Sequence, residues 1–355
     1  MKLTKLISAV ALAALLAAAP ALATAQEKTD FKVAWSIYVG WMPWGWANDN
    51  GVVKKWADKY GITIEVTQFN DYVESINQYT AGAYDAVTLT NMDGLSIPAA
   101  GGVDTTAVII GDFSAGNDAV ILKGKEALAD IKGQPVNLVE FSVSHYLLAR
   151  ALESVGMTER DVNVVNTSDP DMVGAFQTAD VTAMVTWNPM VSEIAALPDA
   201  HKVFDSSQIP GEIIDMMVAN TAVLKDNPNF GKALAGIWYD TMAAMTADTA
   251  EGAAARAAMG AASGTDQAGF EAQLAATKLF PTPAEAVAFT DSPDLKTTMD
   301  KVRTFLFDKG LLGNGAPSAD VIGIELPSGE VLGDATSVKL RFSNTYMKAA
   351  ADGGL

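Results

Sequence analysis

The chain of 355 residues contains no cysteine. That removes disulfides, a thiol nucleophile and a lipidated N-terminal cysteine from consideration. Histidine is almost as scarce. His145 and His201 are the whole supply, too few and too far apart for a typical zinc site. Cations are few: 24 Lys and Arg stand against 42 Asp and Glu, for a net charge of −18. So acidic a chain is a poor partner for nucleic acid or an anionic membrane surface. After the first 30 residues no stretch approaches 18 consecutive apolar residues, so nothing there reads as a membrane span. Phosphate-binding loops, G-x-S-x-G and H-E-x-x-H are also missing, and nothing marks a catalytic pair. We expect no enzyme, no cofactor and no metal.

What is present starts with a leader. Residues 1–25 have Lys2 and Lys5, an Ala/Leu-rich stretch and Ala23-Thr24-Ala25, the pattern of a secretory signal peptide. Its removal would deepen the negative charge by two, because it carries two lysines and no acid. A short alanine-rich run ending in a processing site argues against a membrane anchor. The expected location is the periplasm, free and not lipidated.

The remaining length suits two lobes. Runs rich in β-branched residues at 31–37, 62–68, 84–90, 105–111 and 118–123 read as strands, with helices expected at 45–60, 71–82 and 92–101. Strand–helix alternation implies parallel βα units. It restarts with strands at 134–140, 161–166, 179–187 and 211–220 and a helix from Ser144. Residues 221–309 read as mainly helical. This α/β pattern predicts a first lobe from 26–120 and 215–355, and a second from 121–214. A ligand cleft would lie where loops of both lobes converge.

The segments "GKEALADIKGQPVNLVEFSVSHYLLARALESVGMTERDVNVVN", "ADVTAMVTWNP", "WMPWGWANDNGVVKKWADKYGITIEV" and "GAYDAVTLTNMDGL" together resemble the nitrate/sulfonate/taurine-type periplasmic substrate-binding proteins, nearest to the urea/guanidine importer branch associated with urea carboxylase. The resemblance implies a type II two-lobe binding protein with parallel-rich sheets flanked by helices. It further implies a monomer that passes a small-molecule solute to an ABC transporter permease.

The loops after the strands then become the candidate site. "WSIYVGWMPWGW" (35–46) holds four of the seven tryptophans. Trp35 and Trp56 read as packing. Trp44 is the favoured aromatic to face the ligand, with Tyr38 and Trp41 behind it and Trp187 as a second wall. Asn91 and Asp93 follow the third strand, where Asp93 could equally be a helix N-cap. Glu140 ends a strand expected to be buried, so it needs a partner or a ligand. Ser142 and Ser144 could cap the next helix or face the cleft. His145 reads as a satisfied first-turn residue. Asp215 could serve hinge or ligand. All five candidate loops lack Lys and Arg. A bidentate Arg clamp on an anion is thereby missing. Aromatics with carboxylates point to a small cation or urea-like solute, guanidine first and urea second. The alternative is an anion such as taurine, another sulfonate or nitrate, held by helix N-termini. A structural or interaction protein is the third reading.

Overall fold

The computed structural model describes residues 27–313 and 315–355. The signal-peptide reading of 1–25 lies outside the described residues. Two mixed sheets flanked by helices form the α/β architecture. The larger contains β1 (Asp30–Ser36), β2 (Thr63–Phe69), β3 (Ala86–Thr90), β4 (Thr105–Ser114), β10 (Ile214–Asn220), β11 (Thr277–Leu279), β12 (Gly323–Glu325), β13 (Val331–Leu332) and β14 (Val338–Phe342). Its order is β13-β12-β14-β4-β10-β3-β1-β2, with β11 on β4. The smaller is β7 (Asn163–Asn166), β6 (Pro135–Leu138), β8 (Ala183–Thr186), β5 (Ala119–Lys123) and β9 (Ala200–Asp205), in that order.

β1 runs parallel to β2 and β3. β10, the returning strand, is antiparallel to both β3 and β4. The sheets are therefore less uniformly parallel than strand–helix alternation suggests. Hydrophobic pattern reveals a strand but not its direction. Strands β3, β4 and β10 are almost wholly buried, which explains their continuous apolar runs.

The helix expected at 45–60 is two helices. α1 (Met42–Asp49) starts early, with Pro43 in its first turn, where a missing N–H is harmless. It stops before Gly51, whose φ of 76° belongs to the left-handed region. α2 (Val52–Tyr60) follows, and Trp56 packs there as expected. α3 (Tyr72–Thr80) is capped by Asp71, whose side chain accepts from Glu74 N–H at 2.8 Å. α4 (Asn91–Gly94) widens over Leu95–Ala99 around Pro98, which has no N–H to give. α5 (Val143–Ser154) follows β6.

The chain passes between the sheets at 115–118 and at 206–213. Ser114 and Ser206 join these crossings, their hydroxyls 2.6 Å apart. Glu212, on the return crossing, accepts from Tyr146 (2.7 Å) and Arg150 (2.8 Å) on α5 and from Lys301 (2.6 Å) on the helix Pro293–Asp308. Burial pushes the Glu212 carboxyl up, but these hydrogen bonds outweigh it and hold it below its usual range.

Candidate functional site

The carboxyl ends of β1, β3 and β4 and the amino end of β10 share one edge of the larger sheet, facing the smaller one. There a tight pocket opens. Four aromatic rings wall it: Tyr38 and Trp41 after β1, Tyr72 at the start of α3, and Trp187 after β8. They run in sequence, with centroids 5.1 Å apart for Tyr38–Trp41, 5.5 Å for Trp41–Tyr72 and 5.6 Å for Tyr72–Trp187. Asp118, Asp215, Thr90 and Val143 complete the lining, and no lysine or arginine is among them. Trp187 donates from Nε1 to the Ile37 carbonyl at 3.3 Å, so this wall comes from the smaller sheet but is fixed to the larger.

The carboxylates are the unusual feature. Asp215 on β10 pairs directly with Asp112 on β4 in the sheet register. Like charges placed opposite each other destabilise a sheet. Asp93, Asp112, Asp118 and Asp215 are all buried, and none forms an ion pair among the described residues. Asp93 Oδ1, Asp112 Oδ2 and Asp215 Oδ2 find no hydrogen-bond partner among those residues. Burial pushes Asp118 up to about 7 and Asp93 to about 6. Burial also raises Asp112, and raises Asp215 further, with the Asp112 carboxylate adding to the second shift. An uncompensated buried carboxylate is costly. Two of the four, Asp118 and Asp215, line the cavity, with Asp93 and Asp112 behind them, an arrangement that suits positive charge.

Neighbouring polar groups hold the cluster in place. Tyr38 OH donates to Asp112 Oδ1 at 3.1 Å. Burial, then the Asp112 charge, raises that phenol well above its ordinary pKa, so it stays a donor. Asp93 accepts from Tyr72 OH (2.7 Å), Thr90 Oγ1 (2.9 Å) and, from the start of α5, Val143 N–H (3.3 Å). Gly40 lets the loop lie against this floor. A Cβ there would sit 2.5 Å from Asp112 Oδ2 and 2.6 Å from the Tyr38 ring. Gly40→Ala should therefore displace both groups, lower stability by about 1–3 kcal/mol and weaken solute binding. Thermal unfolding and a ligand titration of the variant check this.

Of the residues expected at the site, Tyr38, Trp41, Trp187 and Asp215 line the cavity. Trp44 does not. It is 1% exposed and stacks on Trp238 at 5.7 Å, so Trp41 stands in front and Trp44 behind, the reverse of the expectation. Asn91 is used by the fold, donating to the Glu212 carbonyl (3.1 Å) and accepting from Ile214 N–H (3.1 Å). Asp93 is not the cap of α4. Thr90 holds that position, and Asp93 braces the cavity from outside its lining. Glu140 is corrected outright. β6 ends at Leu138, and Glu140 is a half-buried turn residue away from the cavity. Ser142 caps α5, its Oγ accepting from Ser144 N–H. Ser144 is buried, and its hydroxyl finds no partner among the described residues. Neither serine lines the cavity. His145 accepts from Phe141 N–H at 3.1 Å, and burial pushes it down to about 4, in keeping with a packed, neutral ring.

Sequence reasoning missed Tyr72, Thr90, Val143, Asp112 and Asp118. Asp112 had a signal: a lone acid inside the apolar run "TTAVIIGDFS".

Residues 24–262 match the NMT1-like family. A curated binding-protein relative from Brucella abortus is 28% identical over 138 residues, covering 39% of this chain and 42% of the relative. The taurine-binding periplasmic protein of Escherichia coli is 23% identical over 184 residues, covering 50% of this chain and 56% of that protein. The chain thus matches about half the length of these curated relatives. Among solved structures, the alkanesulfonate-binding protein SsuA from Xanthomonas axonopodis pv. citri, bound to MOPS, superposes with a TM-score of 0.65 at 16% identity, over 82% of this chain and 96% of that one. The aliphatic sulphonate-binding protein SsuA from Escherichia coli gives 0.64 at 17% identity, over 80% and 94%. The chain has the fold of periplasmic binding proteins, and it belongs to the NMT1-like family.

Proposed function

We propose that this protein is the solute-capturing component of an ABC-type importer, working in the periplasm and delivering a small solute to a membrane permease. The two sheets would belong to two lobes that close over the cavity. The names of its relatives support the binding role. On ligand class they favour a sulfonate or taurine over guanidine or urea.

The cavity lining is the observation that carries our reading of the solute. Four aromatic rings and buried carboxylates without a lysine or arginine suit a cationic nitrogen, guanidinium foremost. The second reading, favoured by the relatives' names, is an aminosulfonate such as taurine. Its ammonium group would use the same carboxylates.

Thermal stabilisation by guanidinium, urea, taurine, nitrate and ethanesulfonate separates these readings. A true ligand at 100 times its Kd adds about 2.7 kcal/mol. We expect guanidinium to stabilise and ethanesulfonate and nitrate to have no effect. Stabilisation by ethanesulfonate but not guanidinium overturns the cationic reading.

A further inference from the structure

We propose that Asp93 and Asp169 are specificity-determining residues that keep anionic solutes out of the cavity. Each reaches across the interface between the two sheets and fills a helix-start N–H group that an anion would need. This rests on the cationic reading above and names the side chains that enforce it.

α3 packs on the larger sheet and α5 on the smaller. Their first residues, Tyr72 and Val143, both line the cavity. The first N–H groups of a helix have no partner within it, and they attract anions. Here both are taken by carboxylates from the opposite side. Asp169, which follows β7 of the smaller sheet, accepts from Tyr72 N–H at 3.2 Å. Asp93, in α4 on the larger sheet, accepts from Val143 N–H at 3.3 Å. Both carboxylates are buried. Tyr72 joins the two contacts, since its hydroxyl donates to Asp93 at 2.7 Å.

Helix capping alone does not account for this exchange. α3 has its own cap in Asp71 and α5 has Ser142, which accept from Glu74 N–H at 2.8 Å and Ser144 N–H at 3.2 Å. Asp169 then adds a second carboxylate beside the first at α3. Burial, and after it the Asp71 charge, push that carboxyl up to about 7. The N–H groups of Tyr72, Glu74, Val143 and Ser144 all have acceptors as a result. A sulfonate or nitrate in the cavity would find these donors occupied and Asp118 and Asp215 facing it. A cationic nitrogen brings donors of its own and competes for none of the four.

The test is calorimetric titration with guanidinium, nitrate and ethanesulfonate at fixed ionic strength. It compares the unaltered protein with Asp169→Ala, Asp93→Ala and Asp93→Asn. The unaltered protein should bind guanidinium and neither anion. Asp93→Ala frees Tyr72 OH, Thr90 Oγ1 and Val143 N–H, which all meet at one carboxylate oxygen. Both alanine variants should gain nitrate affinity by about tenfold or more, the worth of one charge-assisted hydrogen bond. Asp93→Asn keeps an acceptor oxygen in place and should gain less. A purely structural role would lower stability without creating affinity for anions. Cooperative thermal unfolding verifies that each variant folds, and where Asp93→Ala does not, Asp169→Ala decides alone. Guanidinium binding with no gain of anion affinity in the alanine variants overturns the inference and leaves the cationic reading standing. Anion binding by the unaltered protein, with no response to guanidinium, overturns the cationic reading and this inference with it.

Discussion

Asp215→Asn should weaken binding of a cationic solute about ten- to a hundredfold, yet leave the unliganded protein as stable as before. Burial, then the facing Asp112 carboxylate, raise the Asp215 carboxyl well above its usual range, which favours its neutral form in the unliganded site. A neutral amide of nearly the same size replaces a neutral carboxylic acid there, and its NH₂ can still donate to Asp112. The solute experiences a different change. A charge-assisted hydrogen bond contributes about 1.5–3 kcal/mol, or one to two decades in Kd. Calorimetry with guanidinium gives the first quantity and denaturant unfolding the second. Unaltered affinity would remove Asp215 from the site. A large loss of unliganded stability would show that its role is structural.

The second large effect is on pH. With Asp118 near 7 and Asp112 and Asp215 also raised, the unliganded cavity keeps part of its carboxyl protons at neutral pH, while Asp93, near 6, is mostly ionised there. A cation must displace them, so its affinity should rise with pH. Below about pH 7 it should fall roughly tenfold per unit for each proton released. Stability without ligand moves the other way. These carboxyls titrate higher in the folded than in the unfolded chain, where Asp lies near 3.9. Their favourable contribution is complete below that unfolded value and is lost as pH rises through about 6 to 7. Unliganded protein should therefore melt at a lower temperature at pH 8 than at pH 6, and the solute should stabilise it most at pH 8. Titrations in two buffers of different ionisation enthalpy count the protons released. A sulfonate lacking an amine would bind more tightly at low pH, the opposite sign.

The parts legible in sequence were those governed by local pattern. Tyr38, Trp41, Trp187 and Asp215 follow or begin buried strands, and such positions reach the sheet edge whatever the tertiary details. Trp44 stands behind Trp41 because α1 begins at Met42. Trp41 and Trp44 then lie three residues apart on one side of the chain, and Trp41 is the one that lines the main cavity. Glu140 was misjudged by two residues of strand length, since β6 ends at Leu138. Asp112 ended the expected strand at 111 because acids ordinarily terminate strands. In fact β4 runs on to Ser114, and the acid is buried in the pair with Asp215. Tyr72 and Val143 were not legible, because only the meeting of the two sheets brings them together.

The tie at Glu212 bears on time as well as on geometry. In the capture role proposed above, a solute leaves only when the two sheets part. Parting must break the bonds from Tyr146 and Arg150 or the one from Lys301, because these donors come from opposite sides of the interface. None of these groups lines the cavity, so the tie would act on the barrier to departure more than on the fit of the cavity. How long a captured molecule waits before delivery would thus be set partly by a helix, Pro293–Asp308, that lies outside the cavity wall.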